Sequence, residues 1–142
     1  MTLNSKEIGN ITEVSYMLEF MKLGYPVLTP YGDCQRYDFV VEINNTFYKI
    51  QAKTANVNHI NEGYISFRCD NTTTQNGKTI HHQYDENEID FFSTFYNGKC
   101  YLIPVKECSK EKKLRFIATK NGQTKGISFA ENYELEKIIN NL

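Results

Sequence analysis

Three side chains suited to binding a metal ion and a phosphate lie on two neighbouring segments of β-strand type. Asp38 is in the first segment, RYDFVVEI, while Gln51 and Lys53 are in the second, TFYKIQAK. Carboxylate and amide oxygens are ligands that Mg²⁺ accepts in proteins. A lysine ammonium beside them can contact a phosphate and stabilise the negative charge that develops during its hydrolysis. If the fold brings the three groups together, they predict metal-assisted hydrolysis of a phosphate ester.

A β-hairpin is the element that would bring these groups together. The two segments are separated by Asn44-Asn45, and asparagine tolerates the positive φ that a two-residue hairpin turn requires. Such a turn pairs Ile43 with Thr46 and places Asp38 directly opposite Gln51, with their Cβ atoms about 4.5–5.5 Å apart. A three-residue turn would break this pairing.

The same register separates apolar from polar side chains. The predicted apolar face contains Phe39, Val41, Ile43, Tyr48, Ile50 and Ala52, and the opposite face contains Arg36, Asp38, Lys49, Gln51 and Lys53. A slip of one residue would mix the two faces, so the pattern favours this pairing. On register alone, an ordinary ion pair between Asp38 and Lys53 on an exposed sheet face is the commoner outcome.

An amphipathic helix is predicted at residues 5–23, ahead of the hairpin. Ser5 is the expected N-cap and Gly24 the expected C-terminal stop. Apolar residues that recur at spacings of three and four define its expected core-facing side: Ile8, Ile11, Val14, Leu18 and Met21.

The other predicted elements complete a mixed sheet flanked by helices. They are a short extended piece between Pro26 and Pro30, a strand at 64–69, a hairpin at 91–105 turning at Asn97-Gly98, a strand near 114–118 and a closing helix at 132–142. Residues 70–83 are polar without periodicity and predict a long surface loop, which in a compact domain is often functional. The order of elements predicts a single α/β (α+β) domain over residues 1–142.

The composition limits the class of protein. The chain has 142 residues, of which 40% are hydrophobic, with no signal-peptide block and no long apolar run, so we expect a soluble cytoplasmic protein without a membrane segment. Its four cysteines are far apart and form no CxxC pair, which favours reduced thiols over a zinc cluster or disulfides. A formal net charge of −1 argues against holding nucleic acid by bulk positive charge, but it is compatible with a nuclease that has a local basic face.

Three sequence elements together resemble the PD-(D/E)xK nuclease superfamily. They are a helical G-x-x-x-E at Gly9–Glu13, Asp38 on the first hairpin strand, and Gln51-Ala52-Lys53 on the second. The similarity is greatest to the small endonucleases of this type, including homing endonucleases encoded in group I introns, and is more distant to archaeal Holliday junction resolvases. The resemblance implies a restriction-endonuclease-like core and a gene that can be carried by a phage or an intron.

The resemblance also implies a site and a reaction. It identifies Glu13, Asp38, Gln51 and Lys53 as catalytic, with Mg²⁺ (or Mn²⁺ in its place) held by Asp38, Glu13 and Gln51. The expected activity is endonucleolytic cleavage of double-stranded DNA by a homodimer or homotetramer, because one such site cuts one strand. Tyr37 replaces the usual proline and Gln51 the usual acid, which places more of the metal binding on Asp38 and Glu13.

The polar segment 70–83 is the expected DNA-contacting region, because amide, hydroxyl and amine groups can meet phosphates or base edges. The candidate DNA-binding residues are Arg36, Asn71, Thr73, Gln75, Asn76 and Lys78. Arg36 could instead pair with Asp33. A Holliday junction resolvase and a catalytically inactive DNA-binding protein of the same fold remain as alternative functions.

Overall fold

The helices and strands are defined by a computed structural model that describes all of residues 1–142. The helices are α1 (Ser5–Lys22) and α2 (Leu135–Ile139). The strands are β1 (Val27–Leu28), β2 (Phe39–Ile43), β3 (Thr46–Ala52), β4 (Tyr64–Arg68), β5 (Asp70–Gln75), β6 (Lys78–Gln83), β7 (Phe91–Tyr96), β8 (Lys99–Pro104) and β9 (Glu111–Arg115). Neither helix is long and apolar enough to cross a membrane.

A five-stranded sheet in the order β1-β2-β3-β7-β8 forms the centre of the fold. Only β3 and β7 are parallel, and the other neighbours are antiparallel, so the predicted mixed sheet is confirmed. Strands β4 and β9 form a second, two-stranded sheet, and β5 and β6 form a separate two-stranded ribbon.

The register of the β2–β3 hairpin is the one predicted. Ile43 pairs with Thr46, and Asn44 and Asn45 both adopt positive φ, at 52° and 62°. The apolar face is buried, as the pattern required, and its fully buried members include Phe39, Val41, Ile43 and Ile50. The β7–β8 hairpin also turns at Asn97-Gly98 as predicted.

The central sheet separates two apolar cores. On one face, α1 and α2 pack against the β2–β3 hairpin and β8, around Phe20, Phe39 and Leu102. On the other face, β4 and β9 cover the sheet around Ile65, Phe92 and Leu114. Because the polar side of β3 faces this second layer, any site built on it lies between the central sheet and the β4–β5 segment.

The predicted bounds near the C-terminus need correction. Strand β9 spans Glu111–Arg115 instead of 114–118, because it pairs along its whole length with β4. Helix α2 begins only at Leu135, since Glu134 is extended and bridges to Tyr101. A short 3₁₀ turn at Ala130–Tyr133 precedes it.

The orientation of α1 differs from the prediction. Its N-cap is Asn4 and not Ser5: the Asn4 side chain accepts from the Lys6 and Glu7 amides, and Glu7 in turn accepts from the Asn4 amide. The side facing the sheet is aromatic and buries Tyr16 and Phe20, with the Phe20 ring centroid 5.8 Å from that of Phe39. The predicted core-facing side chains are exposed instead: Ile8, Ile11, Val14, Leu18 and Met21. Aromatic rings bury more area than aliphatic side chains, which favours this orientation.

The predicted loop at 70–83 is wrong, because these residues form the β5–β6 ribbon. Asn76 and Gly77 have φ of 50° and 72°, which is the turn geometry of a tight hairpin. Both faces of the ribbon are polar, so the alternation of apolar and polar residues that usually marks a strand is absent.

Candidate active site

The end of the β2–β3 hairpin brings Asp38, Gln51 and Lys53 together. The Asp38 amide donates to the Ile50 carbonyl at 2.9 Å, and the Ala52 amide donates to Asp38 Oδ2 at 2.7 Å. Asp38 is thus fixed where the ladder of β2 and β3 ends. The Gln51 amide group lies close enough to the carboxylate to lower its pKa.

Asp38 and Glu13 form a pair of partly desolvated carboxylates. Burial raises the pKa of Asp38, and the Ala52 amide, the Lys53 ammonium and the Gln51 side chain only partly offset this effect. Burial also raises the pKa of Glu13, and the nearby charge of Asp38 raises it further. Helix α1 therefore brings Glu13 within electrostatic range of the hairpin. Without a cation, the two negative charges of Glu13 and Asp38 repel each other.

The Lys53 side chain extends from the end of β3 towards the start of the ribbon. Its Nζ donates to the Asp70 carbonyl at 3.0 Å and lies 5.3 Å from the centre of the Tyr84 ring. Burial lowers the pKa of Lys53, and the attraction of Asp38 acts in the opposite direction. A lysine of this kind exchanges its proton more readily than one on the surface.

The backbone of Lys53 is held on both sides. Its amide donates to the Ser93 carbonyl of β7 at 2.8 Å, and its carbonyl accepts from the Tyr16 hydroxyl of α1 at 2.9 Å. Tyr16 is therefore a positioning residue that the sequence analysis missed. Its spacing of three residues from Glu13 was the only available signal, because the sequence predicted the opposite side of α1 as the buried one.

The side chains at this position are suited to a hard cation. The chain contains no group of three or more His, Cys, Asp or Glu residues that could hold a metal ion. Asp38, Glu13 and Gln51 offer oxygen atoms only, which suits Mg²⁺ or Mn²⁺ better than a thiolate-preferring or imidazole-preferring metal. The Asp38 charge raises the pKa of Glu13, and a cation bound between the two carboxylates would relieve this repulsion.

The candidate DNA-binding residues of the ribbon share one face. In the antiparallel register, Asn71 pairs with His82 and Gln75 with Lys78, while Thr73 lies on the same side between them. Asn76 is in the turn. The ribbon thus presents a row of amide, hydroxyl and amine groups along one side. The predicted DNA-binding residues of this segment belong to that row or to the turn, although the strands themselves were not predicted.

The root of the ribbon is fixed next to Lys53 by Asp70. The Asp70 carboxylate accepts from Arg68 at 2.7 and 3.0 Å and from His81 Nδ1 at 2.8 Å. The hydrogen bond from Arg68, together with that from His81, lowers the pKa of Asp70. The same residue's backbone carbonyl binds the Lys53 ammonium, so the ribbon and the hairpin end meet at one residue.

Arg36 is held within the chain. Its guanidinium lies 4.1 Å from the centre of the Tyr84 ring, donates to the Gln83 carbonyl at 3.2 Å and pairs with Glu88 at 3.3 Å. Its ion-pair partner is therefore Glu88, where the sequence suggested Asp33. Tyr84 contacts both Arg36 and Lys53, and no sequence motif singled it out.

Comparison with known proteins identifies the family. The family model described as PD-(D/E)XK endonuclease matches residues 3–136, nearly the whole chain. The chain belongs to the PD-(D/E)XK endonuclease family. A comparison of the chain with curated proteins found no match.

Four solved chains match this PD-(D/E)XK chain, and one of them covers nearly its whole length. It is the bacterial homing endonuclease I-Ssp6803I, with a TM-score of 0.77 and 22% sequence identity. The match covers 98% of this chain and 95% of that chain. It confirms the predicted restriction-endonuclease-like fold with a mixed central sheet.

Replacing Tyr16 with Phe tests how the PD-(D/E)XK motif lysine is positioned. The variant loses the hydrogen bond to the Lys53 carbonyl, so we expect the free energy of unfolding to fall by about 0.5–1.5 kcal/mol. We also expect a lower cleavage rate with unchanged DNA affinity, because Tyr16 contacts only the protein. Single-turnover cleavage and DNA titration measure the two effects.

Tyr48→Phe is the matched control for this variant. It removes a hydroxyl from a residue of β3, the strand that ends just before Lys53, and Tyr48 packs against the same core. Equal loss of cleavage in both variants would contradict a specific positioning role for Tyr16.

Proposed function

We propose that this chain is a metal-dependent DNA endonuclease of homing type, built as one domain over residues 1–142. The observation that supports it best is the meeting of Asp38, Gln51 and Lys53 at the hairpin end, with Glu13 of α1 within electrostatic range. Membership of an endonuclease family supports the same reaction class.

Asp38, Glu13 and the Gln51 side-chain oxygen would hold Mg²⁺, or Mn²⁺ in its place. When bound, the cation supplies Lewis acidity at the phosphate and a water of lowered pKa. The two carboxylates must be ionised to bind it, and burial raises the pKa of each. As the pH falls, metal binding is therefore lost at a higher pH than it would be with two carboxylates of ordinary pKa.

Lys53 contacts the scissile phosphate or exchanges a proton with the attacking water. Its ammonium is near Asp38, and burial lowers its pKa, so both roles are chemically accessible. The Asp70 carbonyl orients the ammonium, and Tyr16 with Ser93 holds its backbone.

The ribbon face with Asn71, Thr73, Gln75 and Lys78, together with Asn76 at its tip, contacts double-stranded DNA. A two-stranded β-ribbon fits the major groove, where amide and amine groups can distinguish base pairs. Because Asp70 joins the ribbon root to Lys53, docking of the ribbon sets the position of the duplex relative to the hairpin end. Arg36 supports this arrangement by stacking on Tyr84. A phosphate at the edge of the site would have to compete with Glu88 for its guanidinium.

One site of this kind cuts one strand, so cleavage of both strands requires a homodimer or homotetramer. The structural neighbour is a bacterial homing endonuclease, which supports a long duplex target over a DNA junction.

A cleavage selection tests the proposal. The protein is incubated with a plasmid library carrying random inserts, and with a four-way junction, in Mg²⁺, in Mn²⁺ and in EDTA, and the DNA ends are sequenced. We expect metal-dependent double-strand ends at a recurring sequence. Cleavage of the junction alone would replace this function with that of a resolvase, and DNA binding without ends in any metal would indicate an inactive binding protein.

A further inference from the structure

The outward face of α1 has an apolar row that nothing in the chain covers. Its five members are between 41 and 59% exposed: Ile8, Ile11, Val14, Leu18 and Met21. The buried side chains of this helix, Tyr16 and Phe20, lie on the other side. A surface helix usually has one apolar side, so a second one on the solvent side indicates a contact outside the chain.

The charges at the two ends of this row are complementary to each other. Glu7 lies one turn before Ile11 and Lys22 lies one turn after Leu18, so both continue the row. Within the chain, Glu7 accepts from the Asn4 amide and Lys22 pairs with Glu19 at 2.8 Å. In an antiparallel pair of such helices, Glu7 would also lie opposite the partner's Lys22, and Ile11 would lie opposite the partner's Leu18. A parallel pair would place equal charges together at both ends.

We propose that a second copy of this chain docks on the outward face of α1, with the two helices antiparallel about a two-fold axis next to Val14. The row is self-complementary in position and in charge, which is what an isologous interface requires. Antiparallel helix dipoles also favour this arrangement.

The size of the row limits the strength of the dimer. A helix of 18 residues is about 27 Å long and about 10 Å wide, which gives on the order of 300 Å² per copy. A standard interface buries about 800 Å² per partner. Three further leucines, near the ends of α1 and on the edge strand β1, are also exposed: Leu3, Leu23 and Leu28. We therefore expect a dimer that dissociates on dilution.

The dimer has a consequence for cleavage that rests on the proposed nuclease function. Glu13 is on α1 next to Val14, so docking through α1 fixes the separation of two Glu13 residues and of the two sites. A variant that cannot dimerise should nick a supercoiled target plasmid and fail to linearise it.

Light scattering across a wide concentration range tests the interface without DNA. We expect the wild type to approach twice the monomer mass of 16.5 kDa. Leu18→Glu and Val14→Glu should weaken dimerisation by on the order of 100-fold, because each places a carboxylate in the apolar row. Ile117→Glu, at a comparably exposed site elsewhere, should leave it unchanged.

Cysteine cross-linking tests the antiparallel geometry in a Cys34→Ser background, which removes the exposed thiol. Val14→Cys should cross-link with itself, and Ile8→Cys should cross-link with Met21→Cys more efficiently than either does with itself. A wild type that stays monomeric at every concentration, or a dimer that survives Leu18→Glu, would overturn the proposal. A dimer that cuts no DNA would instead refute the proposed function and leave the interface intact.

Discussion

Asp38→Asn should abolish cleavage while making the metal-free protein more stable. Burial raises the pKa of Asp38, so the ionised carboxylate is less favourable in the folded chain than in the unfolded chain. Asparagine keeps an oxygen for the Ala52 amide and removes the charge. If the change in unfolding free energy is about 1 kcal/mol, the melting temperature rises by about 2–5 °C at neutral pH.

The direction of the pKa shift of Asp38 determines how the stability difference between the wild type and Asp38→Asn depends on pH. A raised folded-state pKa means that the stabilising contribution of the protonated group is complete below the unfolded-state pKa, near 3.8, and is lost as pH rises through the folded-state value. The wild type and Asp38→Asn should therefore have similar stability at low pH and diverge as pH rises. Melting curves from acid to neutral pH measure the difference.

Mg²⁺ should reverse the order of the two proteins. A ligand at about 100 times its dissociation constant stabilises the folded state by about 2.7 kcal/mol, and only the wild type has the carboxylate to bind it. Asp33→Asn is the matched control, because Asp33 is close in sequence and exposed. An Asp38→Asn variant that is less stable without metal, or is stabilised equally by Mg²⁺, would contradict this account.

Lys53→Met should lower the single-turnover cleavage rate by about 10²–10³-fold, the usual effect of removing one group that stabilises transition-state charge. Methionine keeps most of the unbranched side chain and removes the charge beside Asp38. Since the Lys53 ammonium lowers the pKa of Asp38, its loss should also move the acidic limb of the pH–rate profile to higher pH. DNA affinity should change little, because one phosphate contact is a small part of the total.

Lys49→Met is the matched control for this variant. Lys49 is on β3, four residues before Lys53 and in the same alternation of side chains, but its ammonium hydrogen-bonds the Asn87 carbonyl. Similar rates and similar pH profiles for the two variants would show that the position of the lysine charge is unimportant, in conflict with the proposed role of Lys53.

The hairpin that supports the site was predictable because two signals agreed. The alternation of apolar and polar residues selected one register, and Asn44-Asn45 supplied the only turn compatible with it. Asp38 and Gln51 could therefore be placed on one face from sequence alone. The ribbon was missed although Asn76-Gly77 gave the same turn signal, because both of its faces are polar and threonine-rich.

The remaining features depend on contacts between residues that are distant in the sequence. Helix α1 has apolar residues on two sides, and only the packing against Phe39 decides that Phe20 is the buried one. The contact of Lys53 with the Asp70 carbonyl joins two elements through a backbone atom, so no residue type reveals it. The Tyr16 hydroxyl likewise binds the backbone of Lys53 and not its side chain.

A crystal soaked in Mn²⁺ and measured at the manganese absorption edge tests the central claim most directly. We predict a single anomalous peak in contact with the Asp38 and Glu13 carboxylates and the Gln51 side-chain oxygen, and no peak in Asp38→Asn. Well-ordered density for these three side chains with no peak between them, or a peak only elsewhere on the chain, would contradict it.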